Sequence, residues 1–195
     1  MSAMKGVTLH APLTEKSIRD LKMGDEVYLS GNIYITRDLG HSRILEFLDT
    51  AKPLPISLEG AVIFHAGPVV KEEKGQWSIV IVGPTTSPRM NPYSPAVIRQ
   101  GVRALVGKGN MDEDTCEAMK HFGAVFLAAA SGCANIHAQR IEEVLHVHWL
   151  DLGTTEAIWV VKVKDWGPLI VAIDAHGNNL YIRVVERARE RLKTL

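Results

Sequence analysis

Residues 78–111 read SIVIVGPTTSPRMNPYSPAVIRQGVRALVGKGNM, an apolar run that breaks into a turn crowded with hydroxyl and cationic side chains. The β-branched, apolar character of residues 78–82 predicts a strand. Gly83-Pro84 ends it, because proline offers no N–H to a ladder and glycine frees the backbone to turn. Thr85, Thr86, Ser87 and Arg89 therefore fall at a strand tip. Ser94 and Pro95 suit the N-cap and first position of a helix. The chain then returns through the apolar residues 104–106 to Gly107-Lys108-Gly109, which delivers Lys108 to a second strand end.

The window from 74 to 111 holds no Asp or Glu, where the chain average of 22 acids in 195 residues would place about four. It does hold Lys74, Arg89, Arg99, Arg103 and Lys108. A strand-tip region cleared of acids but keeping hydroxyls and cations is prepared to hold a small anion, since hydrogen bonds to charged groups contribute about 1.5–3 kcal/mol each. Arg99 and Arg103 read as a solvated basic surface. Arg89 and Lys108, beside glycine-rich strand ends, read as the anion ligands.

The chain as a whole has 195 residues, 46% of them hydrophobic, enough for one domain with a sizeable core. We read 1–195 as that single domain, with residues 1–12 as an extended arm. Net charge is zero and pI is near 7.1, which argues against nucleic acid or an anionic membrane as the main partner. Apolar runs such as 124–130 are far short of the roughly 20 residues of a membrane helix. The N-terminal residues have no apolar signal-peptide core, so cytoplasm is the expected location. Cys116 and Cys133 are the only cysteines and lack metal or redox spacing, so both read as packing thiols. Two cysteines do not build an iron–sulfur cluster.

Along the chain, residues 14–21 predict a short helix with Thr14 as N-cap. Residues 26–36 predict one bent strand or a hairpin around Gly31-Asn32. Residues 37–48 predict a helix that puts Ile44, Phe47 and Leu48 on one face and Arg37 and His41 on another. Arg37 opens that helix directly after a strand, where the backbone favours anions. Spacing admits an anion ligand there and equally a surface ion pair with Asp38 or Glu46. His41 reads as a surface or packing histidine, because no second ligand stands at metal spacing.

Residues 61–65 predict a buried strand, and 69–71 with 76–82 a hairpin around Lys74-Gly75. A helix over 112–122 has Asp112 or Asp114 near its N-terminus, and 124–130 is a strand covered on both sides. Residues 136–144 read as helical. His146 and His148 share one face of a strand, a pair that binds metal only with a third convergent ligand. Residues 156–163 and 168–174 predict two strands of an antiparallel hairpin turning at 164–167. The closing segment, 179–195, predicts a helix with Val184, Val185, Ala188 and Leu192 inside and Arg183, Arg187 and Arg191 outside. The sum is a mixed α/β domain, helices over a largely buried sheet.

Two phosphate signatures fail on inspection. Five residues separate Gly101 from Gly107, and Gly109 follows Lys108 where a Walker loop needs a hydroxyl. The dinucleotide fingerprint lacks its third glycine, because Asp112 stands there. No GxSxG elbow appears either.

Four segments can be read together: Arg37-Asp38-Leu39-Gly40-His41, Gly83-Pro84-Thr85-Thr86-Ser87-Pro88-Arg89-Met90, Gly107-Lys108-Gly109-Asn110-Met111 and Glu156-Ala157-Ile158-Trp159. In that order and spacing the chain resembles the β subunit, equivalently the C-terminal domain, of the class I fumarate hydratase and L-tartrate dehydratase family. The resemblance runs from about Leu21 to Tyr181, and GPTTSxRM is its most specific piece. Asn110 breaks the glycine pair that often follows the lysine in this family.

The resemblance implies a swivelling β/β/α domain working with an α subunit that carries three cysteines and a four-iron four-sulfur cluster, in a heterotetramer. It implies reversible addition of water to a C4 dicarboxylate, with the cluster's open iron taking the substrate hydroxyl. Carried over, Arg37, Arg89 and Lys108 bind the substrate carboxylates, and Thr85 with Thr86 stands at the reacting carbon. A hydroxyl is a poor base, so Thr85 in a catalytic role needs a proton acceptor from the α subunit. Fumarate, L-tartrate and a methylated fumarate all satisfy the same cations. A non-catalytic anion-binding module would use the same pocket without chemistry.

Overall fold

Strand and helix alternate along this chain because short apolar runs alternate with amphipathic ones. A computed structural model describes residues 6–193. In order, the strands are β1 (Gly6–Ala11), β2 (Glu26–Thr36), β3 (Val62–His65), β4 (Val69–Glu73), β5 (Gln76–Ile81), β6 (Ala104–Gly107), β7 (Val125–Ala128), β8 (Ile141–His148) and β9 (Ile158–Ile173). The helices are α1 (Glu15–Arg19), α2 (Asp38–Asp49), α3 (Ser94–Arg99), α4 (Glu113–Phe122), α5 (Ala134–Gln139) and α6 (Leu180–Leu192). A 3-10 turn, Ser87–Met90, precedes α3.

Seven strands form one sheet in the order β1-β2-β3-β6-β7-β9-β8. Strands β2, β3, β6 and β7 run parallel, while β9 runs antiparallel to β7 and also pairs with β2. Five strands thereby return on themselves, so the sheet is partly barrel-like. Hairpin β4–β5 stands apart as a two-stranded sheet.

Side chains of a strand alternate between faces, and here both faces are covered, which is why residues 62–64 of β3 and 104–106 of β6 are apolar on both. Val62, Phe64, Ala104, Val106, Val125 and Leu127 join the interior cluster with Trp159 and Trp166. Their neighbours Ile63, Leu105 and Phe126 face the other way, onto Ile44, Val97, Ile98 and Met119 of the helical layer. Full burial of such side chains is worth about 1.5–3 kcal/mol each. Both interior tryptophans keep a partner for the indole N–H: Trp159 donates to Thr154 O at 2.8 Å and Trp166 to His137 Nδ1 at 3.0 Å.

Local capping chemistry holds where it was expected. Thr14 Oγ1 accepts from Ser17 N, Asp112 Oδ1 accepts from Thr115 N, and Gly123 closes α4 in the left-handed region. Helix α3 begins one residue earlier than expected, with Tyr93 at the cap. Ser94 lies inside the helix, and its hydroxyl donates back to Met90 O at 2.9 Å. Residues 26–36 form a single strand.

Several expectations are corrected. The hairpin at 164–167 does not form: β9 continues through it, because β2 offers partners along its whole length, from Glu26 opposite Ile170 to Ile35 opposite Trp159. Gly167 marks the resulting close approach, since a Cβ there would lie 2.5 Å from Val27 O. Only 134–139 of the helix expected at 136–144 and its approach are helical, and from Ile141 the chain is strand β8. Of the expected N-terminal arm, residues 6–11 are extended but hydrogen-bonded to β2 as a sheet strand, and residues 1–5 lie outside the described residues. The stripe of α6 is not inside: Val184, Val185 and Leu192 are 57%, 48% and 70% exposed, because no other element among the described residues covers them. Arg103 is not solvated surface either. It is mostly buried, and its guanidinium donates to Phe122 O and Gly123 O at the end of α4.

Candidate active site

Strands β2, β3 and β6 are adjacent and parallel, so their carboxyl ends share one edge, the edge where open α/β sheets place ligands. Arg37 follows the last residue of β2. Lys108 follows the last residue of β6. Between them the loop after β5 is tied to the end of β3, with Ala66 bridging Pro84 and Thr85 N donating to His65 O at 2.8 Å. Thr86 in turn bridges Lys108, and Ser87 N donates to Lys108 O at 2.9 Å. The topology thus gathers Arg37, Thr85, Thr86, Arg89 and Lys108 from three segments at one place.

The contacts are specific. Arg37 Nε donates to Glu156 Oε1 at 2.5 Å and Nη2 to Thr155 Oγ1 at 3.3 Å. Glu156 Oε2 also accepts from Leu39 N at 2.9 Å, which anchors the first turn of α2. Arg89 Nη2 donates to Asp38 Oδ2 at 2.7 Å and to Thr85 Oγ1 at 2.9 Å. A line of contacts therefore runs from Glu156 through Arg37 and its neighbour Asp38 to Arg89 and Thr85. Among the described residues no carboxylate lies within ion-pair distance of Lys108 Nζ.

This geometry settles what spacing left open. The partner of Arg37 is neither Asp38 nor Glu46 but Glu156, and Asp38 pairs with Arg89 instead. The acid-free window of sequence is not an acid-free place in space, because two carboxylates arrive from other segments. Arg37 and Arg89 are each matched by one carboxylate, so Lys108, at the end of β6, adds one positive charge beyond those two pairs. The site is also open: the Arg89 side chain is 48% exposed and that of Arg37 30%.

Beneath this edge lie two imidazoles. His41 is fully buried, its Nδ1 3.1 Å from Arg37 O, and burial pushes its pKa down to about 4. It is the packing histidine of the two expected alternatives, and neutral. His65, which the sequence did not single out, is equally buried, with Nδ1 3.0 Å from Ser87 Oγ. Burial first, and His41 second, hold its pKa well below the usual value. His146 and His148 do share a face of β8, with ring centroids 6.2 Å apart, and burial with its neighbour lowers the pKa of His148. Among the described residues no three potential ligands converge on a metal. Cys116 on α4 and Cys133 before α5 are both half-buried thiols, and burial raises the pKa of Cys116.

Glu156 and His65 have no role that motif spacing points to, and Asp38 and Ser87 serve Arg89 and His65, partners other than the expected ones. Glu156 opens the segment Glu156-Ala157-Ile158-Trp159, but nothing in its spacing ties it to Arg37.

Comparison with known proteins gives a consistent result. The family described as "Fumarase C-terminus" matches residues 1–184. A protein of Methanocaldococcus jannaschii named "Putative L(+)-tartrate dehydratase subunit beta" is 43% identical over 94% of this chain and 95% of its own length. The "L(+)-tartrate dehydratase subunit beta" of Escherichia coli is 43% identical over 88% of this chain and 85% of its own. A protein of Geobacillus stearothermophilus named "Putative fumarate hydratase class I" is 40% identical over 98% of this chain, which spans 36% of that longer protein.

Proposed function

The chain belongs to the fumarase C-terminus family, and from that premise we propose that it is the β subunit of an iron–sulfur hydro-lyase that interconverts fumarate and L-malate. The observation that carries this reading is the gathering of Arg37, Arg89, Lys108, Thr85 and Thr86 at the shared carboxyl edge of β2, β3 and β6. The cluster belongs in this reading to an α subunit, whose three cysteines ligate it.

A C4 dicarboxylate carries two negative charges and is costly to desolvate unless cations meet both ends. Lys108 offers an ammonium with no carboxylate beside it among the described residues. Arg89 uses one nitrogen for Asp38 and Thr85 and keeps further donors of its planar fork for a substrate carboxylate. Arg37 is held by Glu156 with its own fork partly unused. The single net positive charge and the open face imply that a partner completes and covers the site, excluding water where charge builds.

Thr85 Oγ1 accepts a hydrogen bond from the Arg89 guanidinium, which favours the deprotonated form of that hydroxyl. Its proton still needs an acceptor, and in this reading the α subunit supplies one. Thr86 lies beside it and contributes to holding substrate.

A second reading, L(+)-tartrate as substrate, is supported by the names of the relatives that match this chain over most of their own length. Anaerobic isolation of the native protein tests both. A roughly equimolar, brown, oxygen-sensitive partner with turnover on fumarate and L-malate bears out the first, and turnover on L-tartrate alone selects the second. A colourless protein without partner or turnover is an anion-binding module.

A further inference from the structure

His41 on α2 and His65 at the end of β3 meet ring to ring in the core below the site, centroids 5.1 Å apart at 75°. Each is fully buried, each uses Nδ1, and each has an Nε2 with no hydrogen-bond partner. Buried polar atoms are rarely left unpaired, so two adjacent exceptions call for an explanation.

The partners at Nδ1 assign the tautomers. The Arg37 carbonyl can only accept, so His41 Nδ1 carries the hydrogen and its Nε2 is a lone pair. Ser87 Oγ accepts from Lys108 N at 3.2 Å, and its own hydrogen needs an acceptor. Among the described residues His65 Nδ1, 3.0 Å away, is the acceptor within reach, so His65 carries its hydrogen on Nε2. The two free valences are therefore opposite, a donor on His65 and an acceptor on His41. At its outer ends the arrangement holds the backbone of Arg37 and of Lys108, and His65 O holds Thr85 N.

We infer that His41 and His65 are positioning residues, locked as complementary neutral tautomers, that set the Arg37, Thr85 and Lys108 segments in mutual register from below. Asp38 and the Arg37 backbone face His41 from α2, Tyr93 packs against it with centroids 6.2 Å apart, and Ser87 faces His65. The meaning for catalysis rests on the carboxylate-binding reading above; the tautomer pair itself does not.

Long-range nitrogen–proton correlation of histidine-labelled protein reads the tautomers directly. We expect one neutral Nδ1–H ring and one neutral Nε2–H ring, unchanged from about pH 8 down to about pH 5.5. Two rings of the same tautomer, or either titrating near the ordinary value, overturn the inference. Substitution supplies the second readout. His65→Asn keeps an acceptor opposite Ser87, whereas His65→Phe removes it. Phe should raise amide exchange at Lys108 and KM for a dicarboxylate about tenfold with little change in kcat, and Asn should keep both within about threefold of the parent. Faster exchange with an unchanged KM upholds the pair and counts against the carboxylate-binding reading. Unchanged exchange in His65→Phe, or an Asn variant as impaired as Phe, overturns the pair. If His65→Phe does not fold, the spectrum and the Asn variant still decide.

Discussion

Glu156 Oε1 lies 2.5 Å from Arg37 Nε, joining residues 119 positions apart across the end of β2. The same carboxylate accepts Leu39 N at 2.9 Å, so one side chain fixes both the cation and the first turn of α2. Its side chain is 12% exposed, which makes the pair more than a surface contact.

Removing Glu156 leaves a partly buried guanidinium and a backbone N–H without their acceptor. Glu156→Ala should therefore destabilise the protein by about 2 kcal/mol, below the range for fully buried pairs. Glu156→Gln keeps an oxygen for Leu39 N and should cost about 1 kcal/mol. Urea unfolding measures both, and equal losses for the two would mean that the charge, not the hydrogen bonds, holds α2.

Arg89 behaves differently because it is half exposed. Arg89→Lys should change unfolding free energy by less than about 1 kcal/mol, the usual limit for exposed ion pairs. It should raise KM for a dicarboxylate about tenfold in the assembled enzyme, since an ammonium cannot serve Asp38, Thr85 and a substrate carboxylate with one planar fork. Unchanged kinetics would remove Arg89 from the site.

Much of this architecture was legible because its causes are local. Runs such as 62–64 and 104–106 are apolar without alternation, and a strand covered on both faces is the only economical use of them. Thr14 and Asp112 cap helices through their own side chains. The five cations and hydroxyls at the sheet edge were legible from strand ends. What was not legible depends on distant partners. Gly167-Pro168 looks like a turn, but its glycine answers to Val27 on another strand. The stripe of α6 was correctly periodic, yet periodicity does not say whether anything covers it. Which carboxylate meets which arginine is a tertiary matter, and spacing named the wrong acids for Arg37.

Gly40 offers a sharper test of packing at the site. Alanine in a helix interior is ordinarily better than glycine by about 1 kcal/mol. Here a Cβ would fall 1.9 Å from Thr36 Oγ1 and 2.8 Å from Glu156 O. Gly40→Ala should therefore destabilise, by about 1–3 kcal/mol as for other overpacked positions, and should weaken dicarboxylate binding by displacing Glu156 from Arg37. A more stable Gly40→Ala protein would show that α2 can lift from β2 at little cost.

The buried histidines make stability depend on pH in a definable window. In the unfolded chain His41 titrates near 6.5, while in the folded protein burial lowers its pKa to about 4. Above the first value both states are neutral and stability is full. As pH falls between the two, the unfolded chain binds a proton that the folded protein refuses, so stability is lost. At about 1.4 kcal/mol per pKa unit the loss from His41 reaches ~3 kcal/mol, and His65 adds in the same direction. Carboxylates with lowered pKa, such as Glu15 and Asp174, lose their contributions only further down, below their ordinary 4.5 and 3.8. Unfolding free energies between about pH 5 and pH 6.5 therefore isolate the imidazoles. His41→Asn should lower stability at neutral pH through lost packing and also flatten the slope in that interval by up to one proton, about 1.4 kcal/mol per pH unit. An unchanged slope would mean that His41 takes up its proton inside the folded protein, and the packing around it would then have to yield.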